Sequence, residues 1–243
     1  MNNEDKVEEK IEKEDLYIAN NQDKVDSKED KKNKIKKEIL EWVFCIIIAY
    51  VIYLFINYFI GSVSGVKQTS MTPTAVDGDR LLLQRTVLFK KELNRGDIIT
   101  FVSPDNIPER LEPVAYTLTK DAAKASYDEK NIIDVVLKDF LSIGKVSYVK
   151  RVIGLSGDKI YINDKGEVYL NDAKLDEPYL NDGKTDLNGR YVNLIVPEGY
   201  IYVMGDNRLH SMDSRFFGCI PIEVVDGYVI TRIWPFNKLG KLK

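Results

Sequence analysis

Apolar and polar positions divide this chain into three unlike stretches. The first thirty residues are polar almost throughout, with eleven acidic and five lysine side chains. So few large apolar groups cannot bury enough surface to offset the entropy of ordering, which predicts a solvated, disordered tail. Weak helical spacing of Val7, Ile11 and Leu16 does not change that reading. A lysine cluster follows at Lys31, Lys32, Lys34, Lys36 and Lys37, and then a nearly unbroken apolar run from Trp42 to Ile60. At about 1.5 Å per residue, a helix of about 19 residues spans about 28 Å, close to the roughly 30 Å of a bilayer's hydrocarbon. The lysines before the run, and Asn57 with several tyrosines toward its end, predict one crossing with the N-terminus inside. The run starts too late and is too long for the apolar region of a cleaved signal peptide, and no A-x-A-like site follows it. The predicted organisation is an acidic cytoplasmic tail over 1–38 that ends in the lysine cluster, a transmembrane anchor over 39–61 and an extracytoplasmic domain over 62–243.

Past the anchor, Gly61 to Thr69 reads as a short tether of Gly, Ser and Val. Strand-like runs then recur at Arg80–Val87, Asp97–Val102, Tyr148–Leu155, Lys159–Asn163, Val168–Asn171, Tyr200–Met204 and Tyr228–Trp234, punctuated by Gly, Asn, Asp and Pro. Asp164-Lys165-Gly166 between two of these runs is a hairpin signal. No regular alternation of strand and helix appears, so the domain is expected to be mostly β, built of antiparallel sheets. One stretch departs from this: residues 104–146 begin Pro-rich and then place Ile132, Val135, Val136 and Phe140 at helical spacing, which predicts a loop and one amphipathic helix as an insertion.

Composition narrows the function classes. A chain of 243 residues with 44% hydrophobic content builds one good core beyond its anchor. The net charge of -3 and the scatter of basic residues give no footprint for nucleic acid. Cys45 lies in the apolar run, Cys219 lies far downstream, and His210 is the chain's one histidine. These cannot assemble a zinc-type cluster, and a disulfide between groups in different compartments is not expected.

The candidate chemistry sits at Ser70-Met71-Thr72-Pro73-Thr74, about ten residues beyond the anchor. Pro73 fixes its own φ and biases Thr72 away from helix, so Ser70 is expected in an irregular segment near a bilayer surface. A serine hydroxyl needs a positioned base. His210, with Asp206 and Asp213 nearby in sequence, is one choice. Lys150 is the other: alternation along its strand puts Tyr148, Lys150 and Val152 on one face and Val149, Arg151 and Ile153 on the other. Burial of the first face would lower the lysine pKa by roughly three units, within the range of buried lysines.

Four segments, in order, resemble the conserved boxes of bacterial type I signal peptidases: TSMTPT at 69–74, RGDIITF at 95–101, YVKRVIGLSGD at 148–158 and GDNRLHSMDSRFFG at 205–218. The segments EPYL at 177–180 and VPEGYIYVMGDNR at 196–208 are similar to the family as well. The resemblance covers roughly residues 40–240 and excludes the acidic tail. It implies a signal-peptidase-like fold, a Ser/Lys dyad with Ser70 as nucleophile and Lys150 as general base, and Ser211 as the residue that orients the lysine. It also implies that Asp206, Asp213, Arg151 and Arg215 brace the site through ion pairs, that His210 has no catalytic role, and that no metal or organic cofactor is needed. The Ser70 backbone N–H is the implied oxyanion donor. Some members take a second donor from the side chain two residues before the nucleophile; that position here is Gln68, where Ser or Gly is expected, and its amide is a candidate donor whose geometry the sequence leaves open. Ser156 likewise replaces proline in a GLPGD box.

The expected function is a membrane-anchored serine endopeptidase that removes signal peptides, at A-x-A-type sites, from secreted preproteins on the outer face of the cytoplasmic membrane. Its partners would be those preproteins and the lipid bilayer. Two rivals belong to other classes: a non-catalytic relative that scaffolds a secretion or pilus assembly, and a self-cleaving Ser/Lys regulator.

Overall fold

The computed structural model describes residues 32–85, 92–104, 124–128, 133, 147–180, 185 and 192–242. The chain forms two units, one up to Tyr53 and one from Leu54 on. The first contains most of helix α1 (Lys32–Ile60), 29 residues long and, among the described residues, the one helix long and apolar enough to cross a membrane. Its last turn, Ile56–Ile60, widens into a π-helix. The acidic tail before Lys32 and the helical stripe from Ile132 to Phe140 lie outside the described residues.

The second unit is built on strands β1 (Gly61–Gly65), β2 (Arg80–Arg85), β3 (Ile98–Val102), β4 (Ser147–Gly154), β5 (Lys159–Ile162), β6 (Val168–Leu170), β7 (Ala173–Lys174), β8 (Val192–Ile195), β9 (Tyr200–Met204), β10 (Ile220–Pro221) and β11 (Val225–Trp234). Seven of them form one sheet in the order β1-β2-β11-β3-β4-β9-β10, and four form a smaller sheet in the order β7-β6-β5-β8. Neighbouring strands pair antiparallel in both. A helix α2 of four residues (Ser214–Phe217) follows β9. The expected antiparallel, mostly β architecture is what forms.

Side-chain alternation explains the smaller sheet. Along β5 the buried residues are Ile160 and Ile162, with Lys159 and Tyr161 between them facing out. Val168, Val192, Leu194 and Tyr202 complete that core. The central strands of the larger sheet are covered on both sides: Ile98, Ile99, Thr100 and Phe101 of β3 are all buried. Ile98 packs with Met71, Ala75, Leu81 and Leu83. Ile99 and Phe101 pack with Val152, Ile201, Val203 and Phe217 on the other side.

One expectation is corrected. Gly61–Gly65 is not a tether but an edge strand, registered with β2 from Gly61 opposite Gln84 to Gly65 opposite Arg80. Its Gly and Ser content hides this because the pairing comes from backbone hydrogen bonds rather than β propensity. Gly61 is needed for the approach, since a Cβ there would lie 2.7 Å from the Leu83 carbonyl oxygen. The Asp164-Lys165-Gly166 signal does close the β5–β6 hairpin, with Gly166 at φ +75. A second hairpin joins β6 to β7 through Asn171 (φ 51) and Asp172 (φ 66), both left-handed as a two-residue turn of type I′ requires.

Candidate active site

Ser70 sits in the turn that carries the chain from β1 to β2, and its neighbours fix the turn from below. Met71 and Ala75 are buried in the same cluster as Val66, Leu81 and Ile98. Burying a side chain the size of methionine stabilises by about 2 kcal/mol, so Met71 acts as a plug that holds the residue before it at the surface of the core. Backbone bonds from Thr72 N–H to the Thr69 carbonyl and from Ala75 N–H to the Met71 carbonyl close the turn at 3.1 and 2.9 Å. Thr72-Pro73 is cis.

Lys150 comes from β4, where β3 and β9 flank the chain on its two edges. From Lys150 on, the strand is covered on both faces: Lys150, Arg151, Val152 and Ile153 are buried, while Tyr148 and Val149 before them are half-buried. Lys150 is 1% exposed, and its Nζ donates to Ser70 Oγ at 2.8 Å and to the Val149 carbonyl at 3.1 Å. The Tyr148 ring lies against it, with the centroid 4.9 Å from Nζ. Burial lowers the ammonium from its ordinary 10.5 to about 8. The carboxylates of Asp213 and Asp206 pull it upward, while the Arg215 guanidinium pushes it further down.

The four charged residues that the resemblance names join as two buried ion pairs, a pairing the sequence does not specify. Arg151 grips Asp206 with Nε to Oδ1 at 2.8 Å and Nη2 to Oδ2 at 2.6 Å, and its Nη1 donates to the Gly96 carbonyl at 3.1 Å. Arg215 grips Asp213 with Nε to Oδ1 and Nη2 to Oδ2, both at 2.8 Å. Asp213 also caps α2 and accepts the Gly205 N–H at 3.0 Å. Burial pushes the Asp213 carboxyl upward, but Arg215 and these N–H donors outweigh it and hold the group below the usual carboxylate range. Each guanidinium balances its own carboxylate, and Lys150 is the amine in contact with Ser70.

Ser211 lies in the same buried shell and makes no bond to Lys150 among the described residues; its Oγ lies toward Asp213, whose carboxyl it helps hold down, without reaching full hydrogen-bond geometry. It presses on Gly205 instead: a Cβ on Gly205 would stand 2.2 Å from Ser211 Oγ and 2.4 Å from the Ser70 carbonyl oxygen. That carbonyl accepts the Asn207 N–H at 3.0 Å. An open cleft of about 340 Å³ lies over the dyad, lined by Lys67, Gln68, Thr69, Ser70, Tyr148, Lys150, His210 and Met212. Gln68 and His210 are exposed on its rim. The Ser70 backbone N–H is bonded to no acceptor among the described residues. Ser156, the departure from proline, is accommodated because its hydroxyl donates to the Tyr200 carbonyl and accepts the Gly199 N–H, each at 3.1 Å.

Reasoning from sequence missed two further ionic clusters around the site. Arg95 chelates Asp158 at 2.8 and 2.7 Å, joining two of the motif segments. Arg208 pairs with Glu177 from the loop after β7. Both arginines stand in quoted motifs, so the signal was charge within a motif, but their partners are 63 and 31 residues away.

The site thus brings a buried amine into hydrogen-bond contact with a turn-borne serine, with two Arg/Asp pairs in the surrounding shell. Residues 39–234 match the profile described as "Signal peptidase, peptidase S26". A signal peptidase I of Bacillus licheniformis is 35% identical over 88% of this chain and 98% of its own length. A signal peptidase IB of Staphylococcus aureus is 32% identical over 84% of this chain and 94% of its own. The solved structure of a signal peptidase I from Enterococcus faecalis aligns at 25% identity over 57% of this chain and 97% of that one, with a TM-score of 0.34. The chain belongs to the signal peptidase family, peptidase S26.

Proposed function

We propose that this chain is a membrane-anchored endopeptidase that cleaves signal peptides from secreted preproteins with Ser70 as nucleophile and Lys150 as general base. The observation that carries the dyad is the 2.8 Å contact between Lys150 Nζ and Ser70 Oγ, made by a lysine whose pKa burial has brought to about 8. A base poised near the working pH combines a useful neutral fraction with enough basicity to take the serine proton.

Ser70 Oγ attacks the scissile carbonyl as its proton passes to Lys150 Nζ. The tetrahedral oxyanion forms near the unbonded Ser70 N–H, with the Gln68 amide on the cleft rim as the second donor. Lys150 then protonates the leaving amine, and the acyl-enzyme remains on Ser70. A water entering the cleft gives its proton to Lys150 and releases the acyl group. A neutral amine whose lone pair points at Ser70 has two N–H groups to place. The Val149 carbonyl takes one. Ser211, buried in the same shell, is assigned the other once the neutral amine turns toward it, which would give it the orienting role. Arg151–Asp206 and Arg215–Asp213 hold the backbone around the dyad and transfer no proton.

Residues 39–61 would anchor the enzyme with its N-terminus inside and the catalytic domain outside. The length and apolarity of α1 and the lysines at its start support this. Preproteins with small A-x-A residues before the cut are the proposed substrates. An enzyme and a substrate that both carry a membrane helix meet at raised effective concentration. The scaffold alternative loses ground because the nucleophile and base stand at bonding distance. The test is incubation of the purified chain with a preprotein in detergent: a processed product from wild type and none from Ser70→Ala is expected, and no product from wild type at any concentration would overturn the reading.

A further inference from the structure

Beyond the dyad and its two ion pairs, the segment Glu177-Pro178-Tyr179 carries a third buried network. Arg208 is 4% exposed. Its Nε donates to the Gly205 carbonyl at 3.0 Å, and its Nη1 donates to Thr185 Oγ1 at 2.5 Å and to Glu177 Oε2 at 3.2 Å. Its Nη2 donates to Glu177 Oε1. Tyr179 Oη donates to that same Oε1 at 2.9 Å. The Tyr179 ring in turn lies 4.0 Å from the guanidinium carbon of Arg151, which holds Asp206. Glu177 and Tyr179 thus grip the 205–208 turn at two points, through Arg208 and through the Arg151–Asp206 pair. Burial and the neighbouring Glu177 carboxylate push the Tyr179 phenol up, so its O–H stays a donor.

The gripped turn is the one that holds the nucleophile. Asn207 N–H donates to the Ser70 carbonyl at 3.0 Å, and Asn207 Nδ2 donates to the Thr69 carbonyl at 3.1 Å. Gly205 is wedged against the Ser70 carbonyl and Ser211 Oγ. Neither Glu177 nor Tyr179 lines the cleft over Ser70.

We propose that Glu177 and Tyr179 are positioning residues for Ser70: they lock the 205–208 turn against the nucleophile and so set the rate of acylation rather than the binding of substrate. The proposal rests on the Ser70–Lys150 reading. Without Glu177 the buried Arg208 guanidinium has lost its counter-charge, and an unpaired buried charge seeks water or another partner. Either move frees the Gly205 carbonyl and loosens the turn. Displacements of about 1 Å at a reacting atom cost on the order of a hundredfold in rate.

The test uses the full chain in detergent, with Glu177→Ala, Glu177→Gln and Tyr179→Phe compared with wild type. Two readouts are taken per folded molecule: kcat and KM on a preprotein, and the rate at which a small activated ester acylates Ser70. Glu177→Ala is expected to lower kcat and ester acylation by 10- to 100-fold while KM stays within about twofold. Glu177→Gln keeps one acceptor for Arg208 but not the counter-charge, and is expected to recover only part of the loss. Tyr179→Phe, which removes one hydroxyl and keeps the ring, is expected to lower kcat three- to tenfold and serves if Glu177→Ala does not fold. Unchanged kcat and acylation per folded molecule, or a loss confined to KM, would overturn the proposal. The ester readout needs no preprotein, so a chain that acylates in a Glu177-dependent way yet processes nothing would sink the signal-peptide reading and leave the positioning role standing.

Discussion

Lys150 Nζ, carried by strand β4, lies 2.8 Å from Ser70 Oγ, which sits in a turn 80 residues earlier in the chain. Replacement of either partner by alanine is expected to reduce preprotein processing by at least 10²- to 10⁴-fold, on the order of what a positioned base contributes. His210→Ala, on the exposed rim of the same cleft, is expected to stay within about threefold of wild type. Gel assays of processing at matched protein concentration check all three, and activity retained by Lys150→Ala would remove lysine as the base.

The pH dependence follows from burial of that lysine. Its folded pKa of about 8 lies below the ordinary 10.5, so the neutral base accumulates as pH rises through 8. The expected kcat/KM climbs about tenfold per pH unit below 7 and levels off above 8. Stability carries the same sign. Between about 8 and 10.5 the unfolded chain binds the proton that the folded chain has shed, so this group makes the protein more stable as pH rises across that window. At pH 7 both states are protonated, and the buried ammonium costs the fold roughly 3 kcal/mol. Lys150→Met is therefore expected to be inactive yet more stable than wild type at pH 7, with the gap closing toward pH 10. Urea midpoints at both pH values measure it.

Asp213→Asn separates electrostatics from architecture. Asp213 raises the Lys150 pKa, and its carboxylate pairs with a guanidinium that is 1% exposed. Removal of the charge is expected to cost about 3–5 kcal/mol of stability through the unpaired Arg215. In the molecules that remain folded, the rising limb of kcat/KM is expected to move to lower pH. A limb displaced to higher pH would contradict the assigned field.

Gly205→Ala tests the wedge between Ser70 and Ser211. The added Cβ would meet a backbone carbonyl at 2.4 Å, which no rotamer change relieves. A folded chain with processing reduced at least a hundredfold is expected, because the turn must back away from the nucleophile. Circular dichroism beside the processing assay distinguishes this from unfolding.

How far the sequence speaks depends on the range of the interaction. Alternation grouped Lys150 with Tyr148 and Val152 but left open whether that side of the strand is buried; burial of Lys150 and of Arg151 both follow from β4 lying between β3 and β9, a pairing that no local pattern encodes. Ser70 was legible because Pro73 and its spacing from the apolar run are local signals. β1 was not, because Gly and Ser become strand there only through the neighbouring Leu81–Leu83 backbone. Arg208 and Glu177 stand in separate motif segments, 205–218 and 177–180, and only the folded chain brings them together. Ser211 was placed beside the dyad by resemblance, and its contact with Gly205 could not have been read from composition.

Consecutive residues of β4 send an amine to Ser70 and a guanidinium to Asp206, on opposite faces of one strand. In a sheet the two faces exchange when pairing slips by one residue. Such a slip would aim Arg151, which does not give up its proton, at the nucleophile, and would bury Lys150 against the carboxylate. A misregistered sheet would therefore be compact and hydrogen-bonded, yet chemically inert. In this chain proofreading of the β3–β4 register and acquisition of activity are one event, and the peptidase becomes competent to cut only when its strands have been counted correctly.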